Sequence, residues 1–209
     1  RTVAFIGHNG SGKSTIIEAM LKLAGKISEM GTTMNYDPLE KEKNTTLSVG
    51  FGTFEKDGYE FIAMDTPGFG DFLSEVISAL YAAENVVSVI NASSGIEVQT
   101  ERTWKQAEKL DKPLMVFINQ MDKERADFNQ NLEELKAKFD KNIVPVYLPI
   151  GKEDQFKGIV DLLNNCAYVY ANDGSGKSEK SDVPEDMKDQ IEELRMALVE
   201  DIVETDDDL

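Results

Sequence analysis

The sequence predicts an α/β fold: a mainly parallel sheet covered by helices on both faces, with one antiparallel edge strand. Three observations predict it. A short apolar β-type run leads straight into a glycine-rich turn and then a segment of helical period. Strand and helix signals alternate after that along most of the chain. One pair of strand signals is joined tightly at Asp57-Gly58, which makes those two strands antiparallel.

Taken in order, "TVAFIG" (Thr2 to Gly7) is the first strand and "GHNGSGKST" the turn. "STIIEAMLKLAG" carries apolar residues at helical spacing and has Gly25 where a C-terminal cap belongs. "LSVGFGTFEKDGYEFIAMD" is the hairpin, with Asp57-Gly58 as its turn. "ENVVSVINA" and "KPLMVFINQ" are buried strands, and "QTERTWKQAEKL" and "DFNQNLEELKAKFD" are amphipathic helices. The texture changes near "VPVYLPIGKEDQ", where β-like pieces and turns lead to an acidic helix begun by Pro184 and running towards Val203. We expect a nucleotide-type domain over 1–148 and a small inserted or appended α/β subdomain over 149–209.

Bulk properties narrow the function classes. The chain has 209 residues, 41% hydrophobic and 29% charged, as expected of a soluble globular protein with a sizeable core. No apolar run is long enough for a membrane span, and no secretory pattern opens the chain. One cysteine, Cys166, excludes an internal disulfide, fits a reducing cytoplasm and reads as a buried spectator. The net charge of −17 argues against a DNA or RNA clamp, although −10 of it comes from Glu179 to Leu209, with 13 acidic and 3 basic residues. That acidic face is expected to meet a basic protein or solvent.

The glycine-rich turn satisfies G-x-x-x-x-G-K-[ST] with Gly7, Gly12, Lys13 and Ser14. Its spacing has a physical cause. Backbone N–H groups of Gly7, His8, Asn9, Gly10, Ser11 and Gly12, with the helix N-terminus at Ser14 and Thr15, form a positive cradle for phosphates. Lys13 reaches the β and γ oxygens, and the Ser14 hydroxyl is a Mg²⁺ ligand. A strand before it and a helix after it make this a P-loop. His8, the only histidine, reads as a general base or, preferably, as a loop residue contributing backbone. "NDGSGKSE" (Asn172 to Glu179) repeats GSGKS, but Ala171 stands where the first Gly is required and no apolar helix follows. We expect a flexible linker there, with Lys177 taking no part in nucleotide binding.

"VFINQMD" places Asn119, Gln120 and Asp122 at a strand end, where open parallel sheets bind ligands. A carboxylate at 122 can accept from guanine N1–H and N2–H₂, a pair adenine lacks, so GTP and GDP are favoured over ATP. Asp122 could also cap a helix. "DTPGFGDF" (Asp65 to Phe72) follows an apolar run and looks like the part of a nucleotide switch that senses the γ-phosphate.

With these motifs in order, the chain resembles the translational GTPases, and among them elongation factor G and its paralogues. The resemblance runs through "GHNGSGKST", "LKLAGKISEMGTTMNYDPLE", "DTPGFGDF", "SEVISALYAAENVVSVINASSGIEVQTERTW", "FINQMDKERADF" and "LPIGKEDQFKGIVDLL", the last resembling that family's inserted subdomain. It implies a P-loop GTPase fold with a mainly parallel six-stranded sheet, two switch segments, GTP/GDP and Mg²⁺ as ligands, and work on the ribosome, with rRNA and ribosomal proteins as partners of a cytoplasmic factor. Thr46 takes the family's switch I role toward Mg²⁺ and the γ-phosphate, beside Asp65 and Ser14. Lys13, Thr46 and Gly68 are the expected catalytic set. The family's Arg-Gly before that Thr is absent, and Gln120 replaces its Lys. Its Ser-Ala loop and last helix have no match, since Ser78-Ala79 lies in an earlier helix pattern, so a front part of a larger factor is expected.

The family continues Asp-x-Pro-Gly with a His that orients the attacking water. Here the residue is Phe69, with neither donor nor acceptor. Because phosphoryl transfer is mostly positioning and charge stabilisation, we expect GTP binding with slow hydrolysis. The alternative is a GTP-gated ribosome-binding or regulatory module with little or no turnover. Phe69 could also serve as a core or interface aromatic, and Phe72 and Trp104 read as packing residues.

Overall fold

The computed structural model describes residues 1–31, 33–171, 173 and 175–204. They form two compact units, Arg1–Gln120 and Met121–Leu209. The division falls upstream of the expected 148/149 boundary because Phe128, Val144 and Val146 join the second hydrophobic core.

The first unit holds a five-stranded sheet in the order β2-β3-β1-β4-β5. The strands are β1 (Thr2–Ile6), β2 (Gly50–Lys56), β3 (Tyr59–Asp65), β4 (Asn85–Asn91) and β5 (Leu114–Asn119). β1 runs parallel to β3 and β4, and β4 parallel to β5, while β2 is the antiparallel edge. At the turn of the β2–β3 hairpin, Asp57 and Gly58 have φ of 51° and 80°, the left-handed pair that matches the twist of a two-residue hairpin. The resemblance implied six strands. Tyr147–Ile150 instead pairs antiparallel with Gly158–Asp161 in the second unit.

Alternation along β1 produces three layers. Ala4 and Ile6 face a core with Val76, Ala79 and Leu80 of α3 (Leu73–Ala82) and Ala107 of α4 (Val98–Lys109). Phe5 points the other way, onto Ile17 and Leu21 of α1 (Lys13–Leu23). Successive strand side chains point to opposite faces, so an apolar run at the sheet centre must be covered twice. α1 ends where expected: the N–H groups of Gly25 and Lys26 donate to the carbonyls of Lys22 and Leu21. Ser78 and Ala79 lie within α3. A short helix, α2 (Pro38–Lys43), carries an Asp37/Glu40 capping box that was not among the expected elements.

The second unit pairs four strands in the order β6-β7-β8-β9: β6 (Tyr147–Ile150), β7 (Gly158–Asp161), β8 (Cys166–Tyr170) and β9 (Ser178–Ser181). Its core joins Leu148, Val160, Leu162 and Ala167 to Ile191 and Leu198 of α6 (Lys188–Val203), with Phe128 of α5 (Phe128–Phe139) against it. Pro184 caps a 3₁₀ turn, Glu185–Met187, that leads into α6. Cys166 is free and buried. The expected linker is a correction: its last two residues, Ser178 and Glu179, begin β9, paired with β8, and the Ala171 N–H donates to the Lys177 carbonyl at 2.8 Å to close the hairpin. Asn172, Gly174 and the acidic 205–209 lie outside the described residues. No described helix is long and apolar enough to cross a membrane.

Candidate nucleotide site

Sheet register assembles the site. Phe5 is opposite Asp65 and Asn91 opposite Asn119, so β1, β3, β4 and β5 deliver their carboxyl ends to one edge. The P-loop leaves β1 there and enters α1 through Gly12, whose φ of 97° places it in the left-handed region. Glycine suits that conformation, and a Cβ on it would lie 2.3 Å from Asn119 Nδ2, so the Asn119 amide would have to shift from its place on the Ser11 carbonyl.

Lys13 is 5% exposed, and its Nζ donates to the Gly7 carbonyl at 3.1 Å and the His8 carbonyl at 2.8 Å. Burial lowers its ammonium to about 8, against the raising influence of the Asp65 and Glu97 carboxylates. His8 thus contributes its backbone, the preferred sequence reading. Its Nε2 lies 3.4 Å from Glu97 Oε1, and its Nδ1 is buried.

Three oxygen side chains converge beside Lys13. Ser14 Oγ donates to Asp65 Oδ2 at 2.5 Å, Thr46 Oγ1 to the same oxygen at 3.3 Å, and the two hydroxyls are 3.3 Å apart. Asp65 is fully buried and its Oδ1 has no partner among the described residues. Burial pushes its carboxyl above the ordinary carboxylate range, opposed by the Ser14 hydrogen bond and the Lys13 charge. One carboxylate with an orphaned oxygen and two hydroxyls are hard donors, too few for a complete cage. That set fits Mg²⁺, which keeps waters and takes substrate phosphate oxygens.

Two buried carboxylates shape the segment carrying Thr46. Glu18 of α1, 3% exposed, accepts from the N–H groups of Gly31, Thr33 and Met34. Glu40, 2% exposed, accepts from Leu47 N–H at 2.8 Å and Ser48 N–H at 3.2 Å. Neither was among the expected site residues. The capping-box spacing Asp37-x-x-Glu40 is a readable signal for Glu40; Glu18 has none, since its partners lie 13 to 16 residues away. Glu97 and Asn35, which accepts from Thr46 Oγ1 at 3.2 Å, were likewise missed.

Asn119 Nδ2 donates to the Ser11 carbonyl at 2.8 Å, and Gln120 Nε2 to the Gly10 carbonyl at 3.0 Å. Asn91 Nδ2 holds Gln120 Oε1 at 3.0 Å. The uncharged Gln120 amide thus braces the P-loop backbone. Asp122 is exposed in the turn that opens the second unit. Thr15 is exposed on α1. Gly68 is buried against the P-loop: a Cβ there would sit 2.5 Å from the N and Cα of Asn9. Phe69 is 43% exposed, which overturns its core reading, whereas Trp104 is buried as expected.

A comparison with protein families matches residues 1–204 to the elongation factor Tu GTP binding domain. An elongation factor G-like protein from Thermotoga maritima is 46% identical over 210 residues, which cover all of this chain and 30% of that protein. A crystal structure from Thermus thermophilus superposes with a TM-score of 0.92 at 35% identity, covering 99% of this chain and 31% of that one. The chain therefore spans about a third of the length of these relatives.

Proposed function

The chain belongs to the family of the elongation factor Tu GTP-binding domain, and from that premise we propose that it serves an elongation factor G-like, ribosome-associated, cytoplasmic GTPase whose hydrolysis is slow. The observation that carries the reading is the convergence of Ser14, Thr46 and Asp65 beside the buried Lys13, next to a turn whose following residue is the exposed, apolar Phe69.

In this reading the P-loop N–H groups and the N-terminus of α1 hold the phosphates. The Lys13 ammonium turns from two loop carbonyls to the β and γ oxygens. Ser14, Thr46 and Asp65 would hold Mg²⁺, which when bound would neutralise charge on the phosphates. The Gly68 N–H contacts the γ-phosphate, Asp122 reads guanine, and Asn119 and Gln120 brace the P-loop. Phe69 can neither donate to nor accept from a water, a deficit that costs on the order of 10²-fold in rate. The exposure of Phe69 favours one second reading, a GTP-gated module that recruits a ribosomal or regulatory partner without turnover.

Two measurements test this. In competition binding, GTP and GDP displace a labelled guanine nucleotide and ATP does not; equal displacement by ATP rejects the guanine assignment. Single-turnover hydrolysis with and without ribosomes is slow, and Phe69→His raises the ribosome-stimulated rate. Wild-type turnover of about 1 s⁻¹ or faster rejects the handicap, and zero turnover with GTP bound selects the module reading.

A further inference from the structure

We propose that Asn9 positions the attacking water in this chain, supplying through an amide what Phe69 cannot; the inference rests on the GTPase reading above. Asn9 is a half-buried P-loop residue where three segments meet. Its Oδ1 accepts from Thr45 Oγ1 at 3.2 Å, which ties the P-loop to the segment carrying Thr46. Its backbone is the surface on which Gly68 packs, a Cβ there coming within 2.5 Å of it, and Phe69 follows directly. The Asn9 side chain therefore stands at the junction of the P-loop, the Thr46 segment and the turn in which Phe69 stands.

Several neighbouring polar groups are committed elsewhere, although the buried Ser11 Oγ and Gln99 Oε1 have no partner among the described residues. Lys13 serves the loop carbonyls, Ser14 and Thr46 serve Asp65, and His8 has Nε2 beside Glu97 with Nδ1 buried. An amide oxygen has two lone pairs and an amide nitrogen two protons. With Thr45 on one lone pair of Oδ1, the other accepts an O–H from water. Thr45 is a positioning residue one step further out, since it fixes the amide plane. In the reaction the water oxygen bonds to the γ-phosphorus as the bridging P–O bond breaks. GDP departs with that bonding pair, and the proton of the water passes to inorganic phosphate. Asn9 is unchanged, so the residual turnover needs no titrating side chain at this point.

The test uses the 209-residue chain, measuring single-turnover GTP hydrolysis beside the affinities for GDP and a non-hydrolysable GTP analogue. Asn9→Ala is expected to slow hydrolysis by about tenfold or more with both affinities unchanged. Thr45→Val lowers the rate in the same sense and Thr45→Ser, which keeps the hydroxyl, restores it. Adding Phe69→His to Asn9→Ala recovers turnover. A wild-type rate in Asn9→Ala, or a rate loss matched by an equal loss of GDP affinity, overturns the Asn9 assignment alone. GTP bound by the wild type without turnover overturns it together with the hydrolysis reading, and no guanine nucleotide binding overturns the function proposed above.

Discussion

Replacing Gly68 with Ala probes a close approach between the P-loop and the Asp65–Gly68 turn. The added Cβ would lie 2.5 Å from Asn9 N and Cα and 2.9 Å from the His8 carbonyl carbon, where ordinary contact begins at 3.4 Å. All three atoms are backbone, so no side chain can swing aside. The P-loop and the Asp65–Gly68 turn must separate by about 1 Å, a misplacement that costs on the order of 10² in turnover. Overpacking of this kind also costs about 1–3 kcal/mol, within a total stability of roughly 5–15 kcal/mol, so the variant stays folded. The control is Gly58→Ala in the β2–β3 hairpin, where φ is 80° and nothing lies within 4 Å of the new Cβ. It carries only the left-handed strain, about 1–2 kcal/mol, and leaves turnover intact. Urea unfolding and single-turnover hydrolysis are measured on both. The reasoning fails if Gly68→Ala keeps the wild-type rate, or if Gly58→Ala loses rate to the same degree.

Three further outcomes are expected. The Lys13 ammonium, lowered by burial from 10.5 to about 8, burdens the folded chain fully below pH 8, and the burden is relieved as pH rises from 8 towards 10.5; because a triphosphate favours the charged form, GTP binding at pH 8 should take up protons and weaken above it, and calorimetry showing proton release would contradict this. Glu18→Gln turns an amide N–H₂ towards buried N–H donors and should lower stability by about 1–3 kcal/mol; an unmoved urea midpoint would show that the segment at 31–34 does not depend on the carboxylate. Lys177→Ala, altering an exposed turn residue between β8 and β9, should leave GTP affinity as it was, and a tenfold loss measured by fluorescent-nucleotide titration would return the second GSGKS string to consideration.

What the sequence by itself determined was whatever depends on short spacing. The G-x-x-x-x-G-K-[ST] pattern between an apolar strand and a helix, the Asp57-Gly58 turn, the helix end at Gly25 and the alternation that buries β1 on both sides are all local, so dihedral preference and side-chain period suffice to read them. Tertiary structure decided the rest, because contacts between distant residues depend on strand register. Ser14 meets Asp65 across 51 positions and Thr46 across 32. Buried carboxylates such as Glu18 look like surface residues of an amphipathic helix until a loop brings its N–H groups to them. The segment after Ala171 reads as a linker by composition, yet pairing with β8 makes part of it a strand. Phe69 illustrates both sides: its lack of a polar atom is legible in one letter, while the polar neighbour at Asn9 became visible only once Gly68 and Thr45 had closed on the P-loop.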